Sequence, residues 1–108
     1  KIGDAFFILK KKNLIFVVIR ISEKQIAAFE KGLAPFLPQD SISLVVAFII
    51  EHKVQFTVSK KRKTKLGDYR APFQGKPHRI SVNGDLNPFA FLITTLHEMA
   101  HLLTFNAH

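Results

Sequence analysis

Asn87-Pro88-Phe89-Ala90-Phe91-Leu92-Ile93-Thr94-Thr95-Leu96-His97-Glu98-Met99-Ala100-His101-Leu102-Leu103-Thr104-Phe105 is the stretch from which the rest of the chain is read. Asn is a preferred helix N-cap, because its side-chain oxygen accepts a backbone N–H that the first turn leaves unpaired. Pro88 follows at the first helical position, where its missing N–H costs nothing. Phe89, Phe91, Leu92, Ile93, Leu96, Met99, Leu102, Leu103 and Phe105 then surround the axis on nearly every side. This predicts a helix from 88 to about 105 at the buried centre of the domain.

Three polar groups, His97, Glu98 and His101, interrupt that apolar helix. Residues four apart lie ~40° apart around a helix and about one turn apart along it, so both imidazoles can reach one ion. Zinc takes His nitrogen at ~2.0–2.1 Å, and a catalytic site generally has three protein ligands and a water. In the His-Glu-x-x-His pattern the Glu does not ligate; it takes a proton from the metal-bound water and passes it to the leaving amine. A His on an apolar helix is ordinarily a satisfied core residue. Burying three polar groups at metal-binding spacing without a common partner would nonetheless be costly. The expectation is therefore Zn2+ held by His97 and His101, with Glu98 as the catalytic general base. His52 and His78 stand alone in the sequence and read as surface or structural residues.

Working back toward the N-terminus, residues 78–82 form a short strand with Ile80 and Val82 on one face, closed by the turn Asn83-Gly84-Asp85. Residues 71–77 are a loop marked by Pro and Gly, and 66–70 return as a strand. Val54, Phe56 and Val58 alternate with Gln55, Thr57 and Ser59, the pattern of a half-buried strand. Between these two strands Lys60, Lys61, Arg62, Lys63, Thr64 and Lys65 make a basic run read as a hairpin turn. Leu44, Val45, Phe48 and Ile49 recur at helical spacing, with Asp40 as the expected cap and His52 as the end, although this β-branched run also suits a strand. Ser22 and Gln25 form a capping box ahead of Ile26, Ala27, Phe29, Leu33 and Ala34, a helix that stops at Pro35. Residues 5–9 and 14–21 are candidate strands around Lys10-Lys11-Lys12-Asn13, but without a convincing core pattern.

Composition bounds the function classes. A chain of 108 residues with 47% hydrophobic content and 11 Phe fits one modest core. Cysteine is absent, which excludes disulfides and Cys-ligated metal and makes a reducing, cytoplasmic setting the default. The apolar runs at 14–19 and 42–50 are far shorter than the ~20 residues of a membrane helix, so a soluble protein with no membrane partner is expected. Lys10-Lys11-Lys12 interrupts the only N-terminal stretch suited to a signal peptide. The net charge of +8 invites a nucleic-acid reading, yet five basic groups against Asp4 place +4 of it within residues 1–20. Residues 1–21 are accordingly read as a leader, native or foreign, and 22–108 as the domain.

Lys61-Arg62-Lys63-Thr64-Lys65-Leu66-Gly67-Asp68-Tyr69-Arg70, then Arg79-Ile80-Ser81-Val82-Asn83, then Leu86-Asn87-Pro88, then Leu96-His97-Glu98-Met99-Ala100-His101 together resemble the SprT-like zinc metallopeptidase family, over about residues 22–108. The resemblance implies an α+β, zincin-like fold, with helices on a small, mostly antiparallel sheet whose edge strand can pair with an extended protein or peptide substrate. It also implies two zinc ligands and a base at His97, His101 and Glu98, and a third His ligand downstream of the helix. His108 lies too far along the axis to share the ion, about 16 Å from His97 if the helix continued, so the site is expected to be incomplete within 1–108. The family includes proteases of DNA–protein crosslinks, and the compact, cysteine-free form resembles bacterial members. A reading from a different class is a nucleic-acid-binding module whose metal site is non-catalytic or incomplete. There Lys60, Lys61, Arg62, Lys63 and Lys65 contact DNA phosphates. The plainer account of that run is a solvated turn, and no aromatic is interleaved to stack on bases.

Overall fold

The computed structural model of the chain describes residues 22–60 and 65–107. Residues 22–33 form helix α1. Ser22 is already helical, so the helix is not capped by it as the capping box implied. After a turn at 34–36, a short 3-10 turn, Gln39–Ser41, leads directly into helix α2, Ile42–Glu51. Asp40, the expected cap, lies inside that 3-10 turn, and Ser41 occupies the cap position. The Ser41 hydroxyl turns back to donate to the Pro38 carbonyl at 2.7 Å, which ties the entry turn rather than the helix start.

Helix α2 stops in a Schellman arrangement: Val54 N–H donates to Ile49 O at 2.9 Å and Lys53 N–H to Ile50 O at 3.3 Å. Lys53 takes the left-handed position with φ 53°. Val54 and Ile49 are both buried, the apolar contact that accompanies this cap.

Among the described residues the sheet has three strands: β1 (Gln55–Ser59), β2 (Gly67–Arg70) and β3 (Arg79–Asn83). Their order is β1-β3-β2, with β1 parallel and β2 antiparallel to β3. The sheet is thus mixed rather than mostly antiparallel, and β1 and β2 are not a hairpin. Because β3 inserts between them, the basic connection must carry the chain past one strand position to the far edge; its residues 61–64 lie outside the described residues.

Register and the period-two alternation of side chains give the sheet two unlike faces. Phe56, Ile80 and Tyr69 are aligned on one face, as are Val58, Val82 and Gly67. Ile80 and Val82 join one apolar core with Leu33 of α1, Val45, Val46 and Ile49 of α2, and Phe91, Met99 and Leu102 of the last helix. The other face carries Gln55, Thr57, Arg79, Ser81, Asp68 and Arg70. The architecture is therefore α+β, with its apolar core on one side of the sheet.

Helix α3 runs Pro88–Asn106, with Asn87 accepting a hydrogen bond from the Ala90 N–H at 2.9 Å, as the sequence implied. Phe91 is its main anchor, stacked on Phe36 at 5.5 Å and tilted against Phe56 at 6.4 Å. The buried Thr95 hydroxyl donates to the Phe91 carbonyl, so it enters the core without an unpaired donor. The helix is not buried all round, however: Phe89, Ile93 and Leu103 are 72%, 66% and 50% exposed. A three-stranded sheet covers one side of a helix and leaves the other uncovered. Among the described residues no helix is long and apolar enough to cross a membrane. The candidate strands at 5–9 and 14–21 lie outside the described residues.

Candidate metal centre

One turn of α3 separates His97 from His101, and both rings lie on its exposed side. Their Nε2 atoms are 3.2 Å apart, with ring centroids at 4.7 Å and planes at 90°. One donor atom from each of His97, Glu98 and His101 falls within 4.8 Å of the others. Two nitrogens at this spacing subtend about 100° at an ion bound at ~2.0–2.1 Å, close to a tetrahedral angle. The donor set is therefore suited to a zinc-like ion, and His97 and His101 converge as their spacing predicted.

Glu98 is only 6% exposed. Among the described residues the sealed side-chain polar atom without a partner is Arg79 Nε; the Glu98 carboxylate is not sealed. It opens into a cleft of about 470 Å³ lined by Lys65, Leu66, Gly67, Ile93, Thr94, His97 and Glu98. A carboxylate placed this way keeps contact with water while its stem is held by packing, which is what proton transfer to and from a bound water requires.

The packing comes from β2. A Cβ added at Gly67 would lie 2.7 Å from Thr94 Cγ2 and 3.3 Å from Glu98 Cγ, so the strand crosses α3 closely because that residue has no side chain. Two residues on, Tyr69 lies parallel to the His101 ring, with centroids at 6.4 Å and planes at 8°. Tyr69 Oη is 2.8 Å from His78 Nδ1, and the His78 and Phe105 rings meet edge to face with centroids at 5.6 Å. Burial pushes the Tyr69 hydroxyl above its ordinary value, and burial together with the charge of His52 pulls His78 below the usual imidazole range. Both shifts favour a neutral pair in which the phenol donates to Nδ1.

Gly67, Tyr69 and His78 were not expected at the site. The available signal was that Gly67 and Tyr69 share a strand face, but nothing local ties that face to His101. His78 is structural, as expected, yet its partner is the ring against a candidate ligand. His52 packs on Phe48 at 4.3 Å, one turn earlier on the same helix.

The carboxylates of the neighbouring loops and the basic run lie elsewhere. Asp68 accepts from Arg70 Nε at 3.1 Å and is 3.8 Å from Lys65 Nζ, on the sheet face away from the cluster. Asp85 sits in the turn after β3, where its N–H donates to Asn83 Oδ1. Lys60 and Lys65 are exposed, whereas Lys61, Arg62, Lys63 and His108 fall outside the described residues. Comparison of the chain with family models, with curated proteins and with solved structures gives no match in any of the three.

Proposed function

We propose that the chain is a zinc-dependent metalloendopeptidase of SprT-like type, acting in the cytoplasm on protein or peptide substrates. The observation that carries this reading is the convergence of His97, Glu98 and His101 donor atoms within 4.8 Å, beside a cleft whose opposite wall is an edge strand. His97 and His101 would hold the zinc. When bound, zinc polarises the scissile carbonyl and brings the pKa of its water toward ~7.

The remaining steps belong to the chain's own groups. Glu98, anchored by its packing against Gly67, accepts the proton of the attacking water and later delivers it to the departing amine nitrogen. The Tyr69 ring limits the tilt of His101, and the bond from Tyr69 to His78 holds that ring in place. Among the described residues β2 is an edge strand next to α3, so an extended substrate can add to that edge and present a carbonyl toward the histidines.

Glu98→Gln tests the assignment, because it keeps both imidazoles and removes the base. The variant should retain zinc measured by metal analysis and lose hydrolysis of an unfolded protein substrate, with both measured beside the unaltered protein. Retained hydrolysis, or loss of zinc, would show that Glu98 does not have this role.

A further inference from the structure

We propose that the outer face of the sheet binds a phosphate-type oxyanion between Arg79 and Arg70. The two arginines are directly opposite each other on adjacent antiparallel strands, β3 and β2. Like charges in that position repel. Arg70 is compensated by Asp68, whose carboxylate accepts from its Nε at 3.1 Å and also lies 3.8 Å from Lys65 Nζ. That single carboxylate is shared by two cations, and the Arg79 side chain has neither an ion pair nor a hydrogen bond among the described residues.

Arg79 Nε is moreover sealed from solvent without a partner. A guanidinium cannot discharge by losing a proton, and with its Nε cut off from water the half-buried Arg79 has only its terminal N–H groups left to take an anion. Gln55, Thr57 and Ser81 supply neutral polar groups around it, in register with Arg79 or one pair along. These residues with Asp68, Arg70 and Ile80 line a hollow of about 220 Å³. That is smaller than the ~300–1,000 Å³ of organic-ligand pockets. It suits a single tetrahedral oxyanion, free or projecting from a larger molecule. The planar fork of each arginine matches two oxygens of such a group. Asp68 works against the anion, but Arg79, Arg70 and Lys65 leave the surroundings net positive after it is counted.

The site is on the opposite side of the sheet from α3 and is independent of the metal reading. Two sources offer this chemistry, inorganic phosphate and the phosphodiester backbone of nucleic acid. Thermal melting of the full chain in inorganic phosphate, against chloride of equal ionic strength, reads the first. Binding of a short labelled DNA duplex over a salt series reads the second.

We expect phosphate to raise the melting temperature of the wild type and Arg79→Gln to weaken its apparent phosphate affinity at least tenfold. The variant's own melting temperature in chloride should be unchanged or higher, because an uncompensated charge has been removed. If the source is a phosphodiester, Arg79→Gln should also flatten the log-affinity versus log-salt slope by ~0.9. Duplex binding indifferent to Arg79 alongside an Arg79-dependent phosphate effect assigns the site to free phosphate. Arg70→Gln, at a 66% exposed side chain, gives the same readouts should Arg79→Gln fail to fold. Phosphate no better than chloride, together with an unchanged duplex slope in whichever variant folds, overturns the proposal.

Discussion

Replacing Gly67 with Ala sets two opposed effects against each other. Elsewhere in a strand the change would stabilise by about 0.5–1 kcal/mol, through the lost freedom of the unfolded glycine. Gly67 does not have positive φ, so its backbone suits alanine. The new Cβ, however, would stand 2.7 Å from Thr94 Cγ2, 3.1 Å from the Ser81 carbonyl oxygen and 3.3 Å from Glu98 Cγ. The carbonyl belongs to β3, the central strand, and cannot withdraw without stretching the ladder, so β2 and α3 must separate instead. Overpacking of this kind costs about 1–3 kcal/mol, which outweighs the gain. We expect a net loss of about 1–2 kcal/mol, read as a fall in melting temperature of about 4–8 °C per kcal/mol for a domain of this size. Thr94→Ser removes the nearest methyl, so Gly67→Ala combined with Thr94→Ser should recover most of the loss. Thermal unfolding of the four proteins of this cycle gives the coupling directly. A coupling within the ~0.3–0.5 kcal/mol scatter of independent sites, or a Gly67→Ala chain more stable than wild type, would refute the close crossing of β2 over α3.

The remaining predictions concern protons and metal. Because His78 has its folded pKa below the ordinary 6.5, the unfolded chain binds more protons between those two values. Stability is then full above 6.5 and falls as pH drops toward the folded pKa. The effect is small, since the ring is partly exposed, and His78→Asn should flatten the slope of unfolding free energy against pH in that window; an identical slope would mean that neither burial nor His52 acts on this ring. Residues 1–108 should bind zinc through His97 and His101 but far more weakly than the ~10–16 kcal/mol of four-ligand structural sites. Competition with a chelator of known affinity measures this, and zinc binding that survives both His97→Ala and His101→Ala would place the ion elsewhere.

The parts of the fold set by local rules were legible. Asn87-Pro88 starts α3 where the cap and the ring geometry dictate, and the alternation around Phe56 and Ile80 gives both strands and their inner faces. The convergence of His97 and His101 was legible for the same reason, since four-residue spacing on a helix is a local fact. What failed depended on partners distant in sequence. The basic run was expected to join two paired strands, but pairing is decided by which strands bury their apolar faces together, and β3 with Ile80 and Val82 takes the central place. The apolar circumference of α3 implied full burial, but how much of a helix is covered depends on the number of layers around it. One sheet covers Phe91, Met99 and Leu102 and leaves Phe89 and Ile93 in solvent.

Helical spacing alone does not fix where the Glu98 carboxylate lies. It projects about 100° around the axis from His97 and about 60° from His101, so an isolated helix would let its flexible side chain sample positions beside the histidines and away from them. β2 removes that freedom. The strand passes on the Glu98 side of the helix, close enough that a side chain at 67 would have to displace Thr94, and Tyr69 on the same strand face lies parallel to the His101 ring. Substitutions on α3 should therefore change which donors are present, whereas substitutions on β2 should change how they are held. Of the two, the second requires a folded sheet, and for that reason the candidate site is a property of the domain rather than of its motif.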